Sequence, residues 1–392
     1  MHRIADTYGP LVYHQLGETP RVYGQQEAYT RFFADLDEGQ QLIREYLDEG
    51  GDNNKFKEYD MLTNGKTLKE WLKFANSLRL RLAMRISNVD ATLAKDQATK
   101  ALNDNQGVLE GARETIAVMG KNYINPLCAV AGWGEVYMNA SMESIVNGYE
   151  DPRGKKWYNT ALLEGYQKQL LGIPIGLPMK DGDANIYSFC SSLNTSTIGE
   201  KTGAVLMSAA EVWLLRAEAA LRGYTKENPR TCYEYGVSTS FTQWDCAGAS
   251  EYLESDKTPA DYKDVVSGGK VGKDMKALIT ISPKWEEDAD IETKLEKIIT
   301  QKWLACWPES YEAWAEQRRT GYPKLFKVQS NTGKVIDTDI MIRRLPFSTD
   351  AATADPAQYA TLTENWVAQI TAPPAFGGIR GKTLSRTDST QP

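Results

Sequence analysis

Nucleophiles, bases and metal ligands would carry any chemistry in these 392 residues, and few of them stand in a usable arrangement. The two histidines, His2 and His14, both lie near the start. That excludes an HExxH helix and a His-rich metal site, and a His-dependent triad would have to use one of the two. No G-x-S-x-G elbow occurs. Gly268-Gly269-Lys270-Val271-Gly272-Lys273-Asp274 fails the phosphate-loop pattern, because Ser267 stands five residues before Gly272 and Asp274 replaces the hydroxyl residue, so it reads as a surface loop. Asp181-Gly182-Asp183-Ala184-Asn185 opens like a calcium loop, but Ile186 stands where the turn needs glycine and Ser192 where a bidentate Glu should close the shell. Acidic residues could supply a glycosidase pair, yet sequence alone cannot place two carboxylates across one bond, and most fall on solvated helix faces. The expectation is a protein with no catalytic residues, no metal and no cofactor.

Composition narrows the partners. The chain is 41% hydrophobic and 25% charged, and no run approaches the roughly 18 apolar residues of a membrane span. A net charge of −7 argues against nucleic acid, which demands clustered cations. The nearest basic run, Arg79 to Arg85, alternates with Leu and Ala and reads as the polar flank of an amphipathic helix. Five cysteines, Cys128, Cys190, Cys232, Cys246 and Cys306, form no CxxC pair; Cys232 and Cys246 could bridge, but buried thiols are the expectation.

The positioning elements are helices. TLKEWLKFANSLRLRLAMRIS, from Thr67, sets Trp71, Phe74, Ala75, Leu78 and Leu82 on one stripe. Ser208 and Glu211 have capping-box spacing, opening a helix with Val212, Leu215, Ala219 and Ala220 on one face that closes near Gly223. After Asn228-Pro229 a further helix, Tyr233 to about Trp244, completes an antiparallel hairpin. From Asp290, Ile291, Leu295, Ile298, Ile299 and Cys306 point inward; Pro308 starts another helix, which Thr320-Gly321-Tyr322-Pro323 ends. Arg21–Glu49 and Asp90–Asn103 read as helices, while 108–139, 172–203 and 331–356 read as loops. Successive hairpins suggest a tetratricopeptide-like array without a strict ~34-residue repeat. The chain reads as one domain over 1–370, with a polar Pro/Gly/Ser/Thr-rich tail at 371–392 expected to be flexible.

Several blocks, in order, resemble the SusD/RagB family. HRIADTYGPLVYHQ is similar to the family's Asp-x-Tyr-Gly stretch, with Val12 where Pro is usual. LKEWLKFANSLRLRLAMRIS resembles its most recognisable helix. DPRGKKWY (151–158), LMSAAEVWLLRAEAALRGY (206–224), IITQKWLACWPESYEAWAEQRRTGYPKL (298–325) and RRLPF (343–347) follow with similar spacing. The resemblance implies an all-α fold of tetratricopeptide-like helix pairs, a SusD-like α-α superhelix, with long irregular loops. It implies a non-catalytic, outward-facing outer-membrane lipoprotein that binds oligosaccharides for a SusC-like TonB-dependent transporter. Such proteins carry an N-terminal signal, an anchor cysteine and further helices before the Asp-x-Tyr-Gly stretch; this chain opens at that stretch, with no signal-like apolar run, and lacks the Trp-rich ending after Trp366.

On that implication the ligand face belongs where loop aromatics meet amides, since sugar rings stack on aromatic faces and their hydroxyls pair with polar side chains. The stretch 121–139 supplies Tyr123, Trp133, Tyr137 and Asn139 with Asn122 and Asn125, and Tyr187 and Trp244 are further candidates. Trp71, Trp213, Trp303 and Trp314 fall at apolar helical spacing and read as core, and Glu312, Arg318 and Arg319 read as architectural. Two rivals stand beside glycan capture: a tetratricopeptide-like scaffold for a peptide or protein, and a two-carboxylate glycosidase.

Overall fold

Many of the helices begin at capping residues whose side chains satisfy amide donors otherwise left open at a helix start. In the computed structural model of the chain the described residues are 1–13, 22–63, 65–120, 122–179 and 184–331, with 338, 342–345, 347, 356 and 359–360. The tail from Thr371, Trp366, most of 331–356, His14, Asp181 and Asp183 lie outside them. Helix α1 (His2–Tyr8) leads into a two-stranded antiparallel ribbon, β1 (Leu11–Val12) with β2 (Val22–Tyr23), and then into α2 (Gln25–Asp48). Thr67 and Glu70 form a full capping box for α3 (Leu68–Ile86), and Asp90 caps α4 (Ala91–Leu102). Strand β3 (Ile116–Val118) precedes α5 (Pro126–Ala131), α6 (Ala140–Gly148) and α7 (Arg153–Trp157). It pairs antiparallel with β4 (Ala204–Met207), so the irregular stretch between them leaves and returns at one ribbon.

Ser208 then caps α8 (Ala209–Leu221), and Asn228 with Pro229 at the first helical position starts α9 (Pro229–Gln243), four residues earlier than the apolar spacing predicts. The short α10 (Ala249–Leu253) precedes α11 (Ile291–Ala305), capped by Asp290, and α12 (Ser310–Thr320), closed by Gly321 at φ +82°. Glu309, not Pro308, caps α12, and Ile291 is exposed because it is the first residue of α11. Helices α8 and α9 form the expected hairpin, α3 packs on α4 and α11 on α12, and α8 packs on α3, α9 and α11 at once. Ala98, Ala101 and Ala219, all buried, share one core cluster with Leu80, Met84 and Leu215, and alanine there keeps the helices close. A second core cluster joins Trp157, Tyr233, Phe241, Ile298 and Leu304.

Helix α3 corrects two expectations. Its outer stripe of Trp71, Phe74, Ala75 and Leu78 is only half-buried, with Leu82 alone fully inside. The basic run is not a solvated flank: Arg79, Arg81 and Arg85 are 0–2% exposed. Arg81 clasps Glu211 of α8 through Nε and Nη2 (2.7 and 2.5 Å). Arg85 reaches Glu312 of α12, which Lys302 of α11 also contacts at 3.2 Å. Arg319 forks onto Glu218 at 2.7 and 2.6 Å and also holds Glu316. Burial opposes ionisation of Glu218, yet Arg319 beside it holds its carboxyl well below the usual carboxylate range. Four cations matched to four carboxylates tie α3, α8, α11 and α12 together, which is how buried charge persists in a low-dielectric interior. Arg319 is thus architectural, as its motif suggested.

Candidate ligand-binding face

The residues between β3 and β4 are held by scattered backbone pairing instead of a sheet. Isolated bridges join Tyr137 to Ser192, Asn139 to Ile173 and Tyr158 to Leu193. At the base of the first loop Asn125 donates its backbone N–H to Glu200 O (2.8 Å) and its side-chain amide to Thr202 O (2.9 Å), while its Oδ1 caps α5. The loop tip is therefore presented from a clamped stem.

Trp133 sits on that tip, just past α5, 70% exposed, with its backbone N–H bonded to Val130 O (3.1 Å). Tyr123, on the same loop, is half-buried. Tyr137 is half-buried too and packs on the cluster of Leu171, Tyr187 and Cys190. Asn139 caps α6 by accepting from Met142 N at 2.8 Å and also borders a cleft. Tyr187 is buried at 1% exposure; its hydroxyl donates to Asp264 Oδ2 (3.0 Å) and accepts from Gly272 N (3.0 Å), so its ring offers no face to a ligand. Trp244 is likewise in the core, edge-on to Trp157 and Trp307 at 6.1 and 5.2 Å between ring centres.

The cleft measures about 320 Å³. Leu127, Val136 and Asn139 of the Trp133 segment form one wall, and Trp303, Trp307 and Trp314 of the α11–α12 corner form the other, with Tyr158 between. Trp307 donates its indole N–H to the Tyr158 hydroxyl at 3.1 Å and stacks on buried Trp157 at 5.1 Å, so the floor is rigid. Arg318 lies 3.7 Å above the Trp314 ring and is fixed by the carbonyl of Asp6 at 2.6 Å. Gln317 and Ser310 add polar groups. Glu309 is the cleft's carboxylate; burial pushes it up to about 7, opposed by Arg81 and Arg3, with Arg3 3.3 Å away. Its other oxygen accepts from Glu312 N.

Trp303 and Trp314, expected in the core, are half-buried and also border the cleft, Trp303 packing on the main core cluster as expected. Their helices turn a corner at Trp307 and Pro308, which opens a face that an unbroken packing stripe would close. The signal was present: residues 303, 307 and 314 follow i, i+4, i+11 spacing, and a stripe built of tryptophan carries polar N–H tips that suit a half-wet surface. Gly268–Asp274 is a loop whose Gly272 N–H serves Tyr187. All five cysteines are unpaired, and among the described residues no group of His, Cys, Asp and Glu could hold a metal. No helix among them is long and apolar enough to cross a membrane.

Comparison with known proteins places this geometry in context. A family model described as SusD-like, SusD and RagB outer membrane lipoprotein, matches residues 1–368. A SusD homolog of Bacteroides vulgatus is similar at 54% identity and TM-score 0.90, over 96% of this chain and 75% of its own. A chitin-binding SusD homolog of Flavobacterium johnsoniae is 34% identical with TM-score 0.86, over 96% and 77%. A SusD-like protein of Bacteroides thetaiotaomicron is 31% identical with TM-score 0.81, over 94% and 75%. No match is found among curated proteins.

Proposed function

The chain belongs to the SusD/RagB family of outer membrane lipoproteins, and from that premise we propose that it captures an oligosaccharide at the loop face, without reacting with it, for a SusC-like TonB-dependent transporter. The observation that carries this reading is the juxtaposition of an exposed tryptophan on a clamped loop with a rigid tryptophan-walled cleft built partly from the same loop. Sugar rings present one apolar face to such walls, while Asn139, Gln317 and Ser310 meet hydroxyls. Attachment through an N-terminal lipid is part of the reading, as the family's description as lipoproteins supports.

Hydrolysis is disfavoured by the lining itself. Glycosidases set two carboxyl groups about 5–10 Å apart across the scissile bond. The cleft is bordered by Glu309 as its one carboxylate among the described residues, and both oxygens are engaged.

A calorimetric glycan panel tests the proposal, with chitin oligosaccharides first because a relative binds chitin. Trp133→Ala and Trp314→Ala should each weaken binding about tenfold, the worth of one ring stack, with unchanged circular dichroism. Binding of a peptide and of no glycan would replace this reading with the scaffold alternative, and turnover of a bound sugar would remove the non-catalytic one.

A further inference from the structure

An apolar groove of about 260 Å³ lies between the end of α2 and the turns that lead into α3, and it shares no lining residue with the tryptophan cleft. Leu42 and Tyr46 on its helix wall are 60% and 40% exposed, and Phe56 and Tyr59 on its turn wall are 41% and 61% exposed. The turns are fixed in place. Gly51 donates its N–H to Tyr46 O at 2.9 Å, and Asn53 accepts from Leu68 N through its carbonyl and from Lys69 N through Oδ1, each at 3.0 Å. Phe56 meets Trp71 of α3 edge-on with ring centres 5.8 Å apart, and the Asp60 carboxylate accepts from the amides of Leu62, Thr63, Gly65 and Lys66. Aromatic and aliphatic side chains are thus held rigidly in water, which marks a surface that meets a partner and has met its ordering cost in advance.

Charge divides across the groove. On the helix side Glu45, Asp48 and Glu49 are exposed and make no ion pair among the described residues, and Glu45 and Glu49, three and seven positions beyond Leu42, flank the groove. On the turn side Lys55, which lines the groove, Lys57 and Lys69 are exposed and likewise make no ion pair there, and they outnumber Asp52 and Glu58. We propose that this face pairs with a second copy of the chain about a two-fold axis. Tyr59 and Leu42 of each copy cover the other's groove, and the Lys55 side of each meets the Glu45 side of the other. A two-fold contact uses the same patch twice, and a surface with an apolar centre, one acidic flank and one basic flank complements itself. Other occupants satisfy less of it. A saccharide would bring hydroxyls to walls that cannot pair them. An anionic lipid surface would press on Glu45 and Glu49, and a helix charged with one sign would leave one flank unmet. The patch is small, so the pair belongs to the transient class, with a Kd on the order of 100 µM. Resting on the capture reading above, two copies confined to one membrane would meet at high effective concentration and grip one long glycan at two points. Pairing itself stands without that reading, because its test contains no glycan.

Sedimentation velocity of the full chain from about 5 to about 500 µM reads the pairing, and the sedimentation coefficient should climb toward that of a dimer. Leu42→Ser/Tyr59→Ser should weaken association at least about tenfold with circular dichroism unchanged, since both side chains lie in water in the single chain. Charge reversal adds a test that unspecific association fails. Glu45→Lys/Glu49→Lys makes both flanks basic and Lys55→Glu/Lys57→Glu makes both acidic, so each variant alone should stay monomeric while an equimolar mixture should pair. A monomer throughout the range overturns the proposal, as does self-association indifferent to these substitutions, or charge variants that fail to pair when mixed. Cosedimentation of a monomeric chain with phosphatidylglycerol vesicles would give the face to a lipid surface and likewise overturn pairing.

Discussion

Replacing Glu143 by Gln should remove a steep pH dependence from this protein's stability. Glu143 lies on α6 beside the ligand face, nearly buried, and accepts the Gly172 N–H at 2.5 Å. Burial pushes its carboxyl up to about 8 from 4.5, outweighing the hydrogen bond from Gly172. A carboxyl whose folded pKa is raised contributes stability that is fully present below the unfolded value and lost as pH climbs through the folded one. The window is therefore pH 4.5 to about 8. Across all of it the loss amounts to roughly 4 kcal/mol, and between pH 6 and 8 to about 2–3 kcal/mol. Urea unfolding of both proteins at pH 6, 7 and 8.5 reads it directly: the unmodified chain should lose about 2–3 kcal/mol more than Glu143→Gln over that range. Parallel stability profiles would refute the reasoning, because they would mean that Glu143 already ionises freely. Gly172 also adjoins Asn139 through the neighbouring bridge at Ile173, so glycan affinity of the unmodified chain should fall over the same pH range.

Two further outcomes are expected. Arg319→Met removes the forked partner of Glu218, leaving it to Arg222, and one partner of Glu316, leaving it to Lys302 and Arg85, and should cost about 3 kcal/mol in urea unfolding, whereas a loss below about 1 kcal/mol would show Arg319 to be dispensable to the buried network. Tyr187→Phe should cost about 1–2 kcal/mol by deleting the hydroxyl's bonds to Asp264 and Gly272, while leaving glycan affinity unchanged; lost affinity at full stability would return Tyr187 to the site.

Much of the frame was legible because its signals are local. Thr67, Asp90, Ser208 and Asp290 announce helix starts within three residues of the amides they cap, whereas Asn228 caps α9 where the sequence reads as a break, and the apolar spacing of Leu295, Ile298 and Ile299 states which face turns inward. The arginines of α3 were misread because their partners are remote: Glu211 lies 130 positions from Arg81 and Glu312 lies 227 from Arg85. An Arg among leucines looks the same in sequence whether water or a carboxylate awaits it. Even Ser208 shows the limit, since it caps α8 as its spacing predicts while Glu211 is drawn away to Arg81. The ligand face was legible only as a neighbourhood. Trp133 and Tyr187 both occupy Gly- and Asn-rich stretches, and what separates them is Asp264 and Gly272, which meet only Tyr187. The tryptophans at 303 and 314 were hidden by the opposite effect, because helical spacing states which residues share a stripe and not whether another element covers it.

The β3–β4 ribbon has an evolutionary consequence. Because Val118 pairs with Ala204, everything between them is one long closed excursion whose ends already meet. Lengthening such a loop costs little, about 0.6 kcal/mol for each doubling. Insertions at a tip such as that of Trp133 therefore tax the helical frame almost not at all, and a lineage facing new glycans could lengthen, shorten or replace that tip while inheriting the helices unchanged.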